Sequence, residues 1–170
     1  RTPIEPHEAA RMAAEETGLM ATTFHRDHHP HDPQDLRDPR PQRPPRPTGR
    51  RPTVLIVEDE PHLSLLYELE LRRAGFATLT AGDGRACLDN LLSMDIDLVI
   101  LDLRMPGMDG IDLLARIRGL DRSLPVLINT AYSDYANNYL TWSADDFVVK
   151  SSDVSGLVAR VRQLVGHPAD

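Results

Sequence analysis

A chain of 170 residues has room for one domain of ordinary size, or a smaller domain with a tail, and not for two full ones. With 26 acidic against 19 basic residues the formal charge is -7 and the pI about 5.4, which argues against sequence-independent nucleic-acid binding and against attachment to an anionic membrane. No unbroken apolar run exceeds four residues (54–57 and 98–101), so no segment can span a bilayer or form a signal-peptide core, and the chain reads as cytoplasmic.

Composition changes abruptly near residue 52. Ten of the 14 prolines lie in residues 1–52, and a stretch so poor in apolar side chains cannot bury a core. Residues 1–51 hold nine Arg against eight acids (+1), while residues 52–170 hold ten bases against 18 acids (-8). The first part is expected to be a disordered extension rich in Pro, Arg and His, with a marginal short helix at 7–17 that stops at Gly18. The run from His25 to Asp32 places imidazoles and carboxylates where a soft divalent metal could bind, yet such tracts in Pro-rich linkers are ordinarily just solvated. The six Arg from Arg37 to Arg51 interleave with prolines; an acidic partner or RNA is one reading, and an extended linker of polyproline character is the expectation.

From residue 53 short apolar runs alternate with longer amphipathic stretches, the signature of an α/β fold with a parallel sheet covered by helices on both faces. The spacing predicts strands at 54–57, 76–80, 98–101, 126–129 and 147–149. Helical stretches are predicted near 61–74, 84–93, 110–119, 134–142 and 153–165. Pro61 suits a first helical turn and Gly75 a helix end behind Arg72 and Arg73. In the last helix Val154, Leu157, Val158, Val161, Leu164 and Val165 form one stripe, Asp153 is the expected N-cap, and Gly166 with Pro168 forms the stop, leaving residues 167–170 as a tail. The single cysteine, Cys87, reads as a small buried helix residue.

The polar residues at the strand ends are informative. Glu58 and Asp59 come directly after the first strand, Asp102 after the third, Thr130 after the fourth and Lys150 after the fifth. In an open parallel sheet ligands bind outside the carboxyl ends of the strands, so these five residues should converge. Three carboxylates crowded together call for a cation, and all-oxygen ligation without His or Cys favours Mg2+, or Mn2+, over zinc. Thr130 and Lys150 then suit an anion held by that metal, most naturally a phosphoryl group. Lys150 is the only Lys among the 19 cationic residues, a compact ammonium where a forked guanidinium would fit less well.

Four pieces in order, VLIVEDEP at 54–61, DLVILDLRMPGMDG at 97–110, NTA around Thr130 and FVVK at 147–150, resemble the receiver domain of two-component response regulators. The resemblance covers residues 53–165, about two thirds of the chain, and does not reach residues 1–51. It implies a receiver domain at 52–166 with a flavodoxin-like sheet order 2-1-3-4-5, an order for which a receiver protein is a standard example. It further implies that Asp102 is the phosphoacceptor, a nucleophile toward the phosphohistidine of a sensor histidine kinase or phosphotransfer protein. Glu58, Asp59, Asp102 and the Arg104 backbone carbonyl would hold Mg2+, while Lys150 and Thr130 would contact the phosphoryl oxygens.

Signalling is implied to run through Thr130 and Phe147, which would reshape the face of the fourth helix, fifth strand and fifth helix for a downstream protein or a second copy. Phe147 has an equally good reading as plain core. No nucleic-acid or membrane contact and no enzymatic activity beyond self-catalysed phosphotransfer and dephosphorylation are expected. Arg104 and Tyr132 are placed to tune that dephosphorylation.

Two departures from the family pattern stand out. Ser151 replaces the usual proline, which is joined by a cis peptide; a non-proline cis bond costs about 2.5–4 kcal/mol, so the loop either bears that strain or runs trans. The stretch from Thr130 to Lys150 is short and holds YSDYANNYLTW, which puts the fourth helix in question. These departures motivate an alternative, a phosphorylation-independent pseudo-receiver that serves as a protein-binding module. A phosphohydrolase using Asp102 ranks below both, because Arg104 stands where a second general acid would be sought.

Overall fold

The computed structural model describes residues 49–131 and 143–166. The expected helices at 7–17 and 134–142, the His-rich run, the Arg/Pro run up to residue 48, Tyr132 and the tail at 167–170 lie outside the described residues. The strands are β1 (Thr53–Val57), β2 (Ala77–Ala81), β3 (Leu98–Leu101), β4 (Val126–Thr130) and β5 (Asp146–Val149). The described helices are α1 (Pro61–Arg73), α2 (Gly84–Ser93), α3 (Gly110–Leu120) and α4 (Ser155–Val165), the last being the fifth helical stretch expected from sequence.

All four strand pairings are parallel and the order is β2-β1-β3-β4-β5. Strand alternation sorts the apolar residues into two layers. Leu55, Val57, Val99, Leu101, Val126 and Ile128 face α2 and α3, meeting Cys87, Leu113, Leu114 and Ile117. Val54, Ile56, Leu98, Ile100 and Leu127 face α1 and α4, meeting Tyr67, Leu71, Leu157 and Val161. Cys87 is fully buried in α2, and burial pushes its thiol up to about 12, so it is inert packing.

Local chemistry sets the helix ends. Glu60 caps α1 by accepting the N–H groups of His62 and Leu63 at 3.0 and 2.8 Å, with Pro61 at the first helical position and Gly75 turning out at φ +94°. At α4 the N-cap is Val154, which offers no side-chain cap, so the expectation of Asp153 is corrected by one position. Asp153 nonetheless accepts the Ser155 N–H at 2.9 Å, because an acid one residue earlier still reaches the first free amide of the helix. Val154, Leu157, Val161 and Val165 of the expected stripe are buried, and Val158 and Leu164 are partly so.

Two arginine–aspartate links tie the end of the sheet opposite the carboxyl termini of the strands. Arg50 binds both oxygens of Asp97 at 2.8 Å, and Asp97 also accepts the Thr53 N–H at 2.7 Å. Arg118 bridges α3 to Asp145 at 2.6 Å and donates to the carbonyls of Ser143 and Leu124, while Asp145 accepts the Val126 N–H. Among the described residues no helix is long and apolar enough to cross a membrane.

Candidate functional site

The strand order reverses between β1 and β3, and the residues that follow these two strands face a common crevice. Glu58 leaves β1 with its N–H on the Ala81 carbonyl of β2, and Asp102 leaves β3 with its N–H on the Val57 carbonyl of β1. Backbone pairing thus continues one residue past each strand and aims both side chains across the sheet end. Glu58 and Asp102 are buried while Asp59 is exposed. Each of the three can supply a carboxylate oxygen such that all lie within 4.8 Å of one another.

Lys150 reaches this cluster from β5. Its Nζ lies 2.7 Å from Glu58 Oε2 and 2.7 Å from Asp102 Oδ2. Burial works against its charge, but the hydrogen bonds it donates to Asp102 and Glu58 outweigh it and hold its pKa above the usual lysine value. Burial raises the Glu58 carboxyl, and Lys150 only partly offsets this. Three carboxylates and one ammonium leave a formal -2.

The donor set fits a hard divalent ion. Carboxylate oxygens from the three acids, all within 4.8 Å of one another, are close enough for one hard ion to gather them directly or through bridging water. The loop after β3 stays close to the cluster: the Arg104 N–H donates to Asp102 Oδ1 at 3.1 Å, and Arg104 pairs with Asp109 in an isolated antiparallel bridge. The loop ends at Gly110, where a Cβ would sit 2.4 Å from the Leu103 Cα. Only glycine permits that approach. The Arg104 side chain is exposed.

Thr130 ends β4 fully buried, and its Oγ1 has no hydrogen-bond partner among the described residues. An orphaned buried hydroxyl costs stability and is the kind of group that waits for a ligand or a rotation. Its carbonyl accepts the Lys150 N–H at 2.8 Å, so the ends of β4 and β5 move together. Phe147 lies opposite Ile128 in register and packs, half-buried, in the layer that faces α2 and α3. By strand alternation Thr130 faces that same layer. No peptide bond among the described residues is cis, so Lys150–Ser151 is trans.

The structure therefore brings Glu58, Asp59, Asp102 and Lys150 into one cluster, with the Arg104 backbone beside it and Thr130 joined to it through the Lys150 backbone. Sequence reasoning did not single out Tyr67 of α1. This residue is buried in the layer that faces α1 and α4, and burial raises its hydroxyl above the usual tyrosine value.

The sequence and the fold are shared with known proteins. A family model described as the response regulator receiver domain matches residues 54–162. The response regulator ArlR of Staphylococcus aureus is 40% identical over 114 residues, 66% of this chain and 52% of ArlR. The chain spans about half the length of the curated relatives it matches. Among solved structures, the response regulator TrrA of Thermotoga maritima in complex with Mg2+-BeF has a TM-score of 0.64 at 36% identity, covering 66% of this chain and 98% of that one. TrrA in complex with the histidine kinase ThkA has a TM-score of 0.64 at 36% identity, covering 67% and 98%.

Proposed function

The chain belongs to the response regulator receiver-domain family, and we propose on that premise that it accepts a phosphoryl group on Asp102, in a Mg2+-dependent reaction, from a histidine kinase or phosphotransfer protein. The observation that supports this most is Lys150, which bridges Glu58 and Asp102 at 2.7 Å beside an exposed third acid. This is a nucleophile with its charge partner already in place.

An Asp102 oxygen attacks the phosphorus of a phosphohistidine. The new O–P bond forms as the N–P bond breaks, and the imidazole nitrogen leaves with the electron pair. Glu58, Asp59, Asp102 and the Arg104 carbonyl would hold Mg2+, which would supply neutralisation of the charge on the phosphoryl oxygens. Lys150 exchanges its contact with Asp102 Oδ2 for a phosphoryl oxygen. The Thr130 hydroxyl, without a partner among the described residues at rest, gains one by rotating toward the same group. Positioning and charge neutralisation do the work, and no general base is needed.

The kinase partner is suggested by the relative TrrA, which has been crystallised with the histidine kinase ThkA. The outgoing contact is assigned to the face that includes β5 and α4, where Val149 is exposed, and it serves a downstream protein or a second copy of the chain. The protein acts in the cytoplasm in this reading. The test is chemical: after incubation with acetyl phosphate and Mg2+, neutral hydroxylamine should convert Asp102 to its hydroxamate, identified by peptide mass. A hydroxamate at another carboxylate, or none, would reject Asp102 as acceptor.

A further inference from the structure

The loop between β3 and α3 is a small hairpin whose shape is fixed from within. Arg104 pairs with Asp109 in an antiparallel bridge, and the Gly110 N–H donates to the Leu103 carbonyl at 3.3 Å. Bonds inside the loop set its shape, but they do not set where the whole loop stands over the acid cluster. That takes a contact with another element.

Met108 makes such a contact. Its side chain packs, partly buried, against the layer that holds Cys87, Leu101 and Leu113, and it lies on Gly84, the buried first residue of α2. A Cβ at position 84 would sit 2.5 Å from the Met108 Sδ and 3.3 Å from its Cβ and Cε. The methionine therefore covers the bare Cα of a glycine, an approach that any side chain at position 84 would obstruct. An unbranched thioether is suited to filling so irregular a gap.

Both sides of this contact lead to the acids. On the loop side Asp109, next to Met108, is the bridge partner of Arg104, whose N–H donates to Asp102 Oδ1 at 3.1 Å. On the other side α2 follows directly from β2, whose Ala81 carbonyl accepts the Glu58 N–H at 3.0 Å, and Asp83 fixes the start of α2 by accepting the Ala86 N–H at 2.8 Å. Met108 thus ties the backbone beside Glu58 to the loop beside Asp102.

We propose that Met108 is a positioning residue for divalent-metal binding: seated on Gly84, it sets where the β3–α3 loop stands over Glu58, Asp59 and Asp102 and so holds the Arg104 backbone in reach of the ion. The inference rests on the proposed metal site and uses no step of the phosphoryl transfer. Groups that support a ligand without touching the metal tune its affinity.

The experiment measures Mg2+ affinity by isothermal titration calorimetry, without phosphoryl donor, on the full chain as wild type, Met108→Ala, Met108→Leu, Gly84→Ala and Leu164→Ala, each checked by circular dichroism for folding. Met108→Ala should weaken Mg2+ binding about tenfold, the lower end of what supporting groups contribute, while Met108→Leu, of similar volume, should stay close to wild type. Gly84→Ala should weaken it too, because the added methyl displaces the thioether. Leu164→Ala, which trims a partly buried side chain from the opposite layer, should lower the urea midpoint and leave Mg2+ affinity unchanged. Unchanged affinity in Met108→Ala, or an equal fall in Leu164→Ala, would overturn the inference. Wild-type protein that binds no Mg2+ would overturn it together with the metal reading. Wild-type protein that binds Mg2+ but takes no phosphoryl group, with affinity lost in Met108→Ala, would reject only the reaction at Asp102 and still support the inference.

Discussion

The Lys150 ammonium and the Asp102 carboxylate meet at 2.7 Å across a sequence separation of 48 residues, and the same ammonium lies 2.7 Å from Glu58. Lys150 is thus the cation that keeps two buried acids compatible in the resting fold and, in the proposed reaction, the group that turns toward an arriving phosphoryl oxygen. Its removal should be felt in both roles.

Lys150→Met leaves Glu58 and Asp102 buried without their cation. Breaking such a pair costs about 3 kcal/mol, to be read as a lower urea midpoint at pH 7.5. Because burial already raises the Glu58 carboxyl, acidification protonates it and relieves the repulsion, so the deficit should shrink at pH 5. Added Mg2+ should stabilise Lys150→Met more than wild type, since the ion no longer competes with the ammonium for Glu58 and Asp102 oxygens.

The raised Lys150 pKa has a definite sign. The folded state holds this proton more tightly than the unfolded chain, so its stabilisation is complete below 10.5, the unfolded value, and is lost as pH rises through the folded value. Thermal midpoints should fall more steeply above that pH in wild type than in Lys150→Met.

Gly110→Ala should disrupt the loop that follows Asp102. The added Cβ meets the Leu103 Cα at 2.4 Å and its carbonyl oxygen at 2.6 Å, and backbone cannot yield as a side chain does. A loss of about 3 kcal/mol, with impaired phosphorylation, is expected. At Gly84 the nearest atom is the flexible Met108 Sδ at 2.5 Å, so Gly84→Ala should cost less than Gly110→Ala by urea denaturation.

Arg118→Ala separates stability from chemistry. The guanidinium is largely buried, bonds Asp145 at 2.6 Å and joins α3 to the carbonyls of Ser143 and Leu124, all at the sheet end away from Asp102. Its loss should cost about 2 kcal/mol and leave the phosphorylation rate unchanged in protein that remains folded.

Much of this architecture is legible in the chain because its strands are short and continuously apolar. Leu98–Leu101 is bounded as the run of apolar residues suggests, and β1, β2, β4 and β5 differ from it by a residue or so at their ends, where apolar pattern does not register backbone pairing. The acidic cluster was readable because Glu58 with Asp59, and Asp102, come at the ends of such runs. The burial of Tyr67 beside the other apolar residues of α1 was not singled out, since a tyrosine at a core position of an amphipathic helix looks like any other core residue. Arg50 was likewise absorbed into the linker by its proline-rich surroundings, although it clasps Asp97, a partner 47 residues away. The Val154 cap was displaced from Asp153 because an acid can serve the first free amide from either position.

The measurement that bears most directly on the central claim is intact mass after incubation with acetyl phosphate and Mg2+, beside EDTA and Asp102→Asn controls. One phosphoryl adduct that requires Mg2+ and is absent in Asp102→Asn is the predicted result. No adduct from acetyl phosphate or from a histidine kinase, together with no Mg2+ binding, would contradict the account and leave a receiver fold that works only by protein contact.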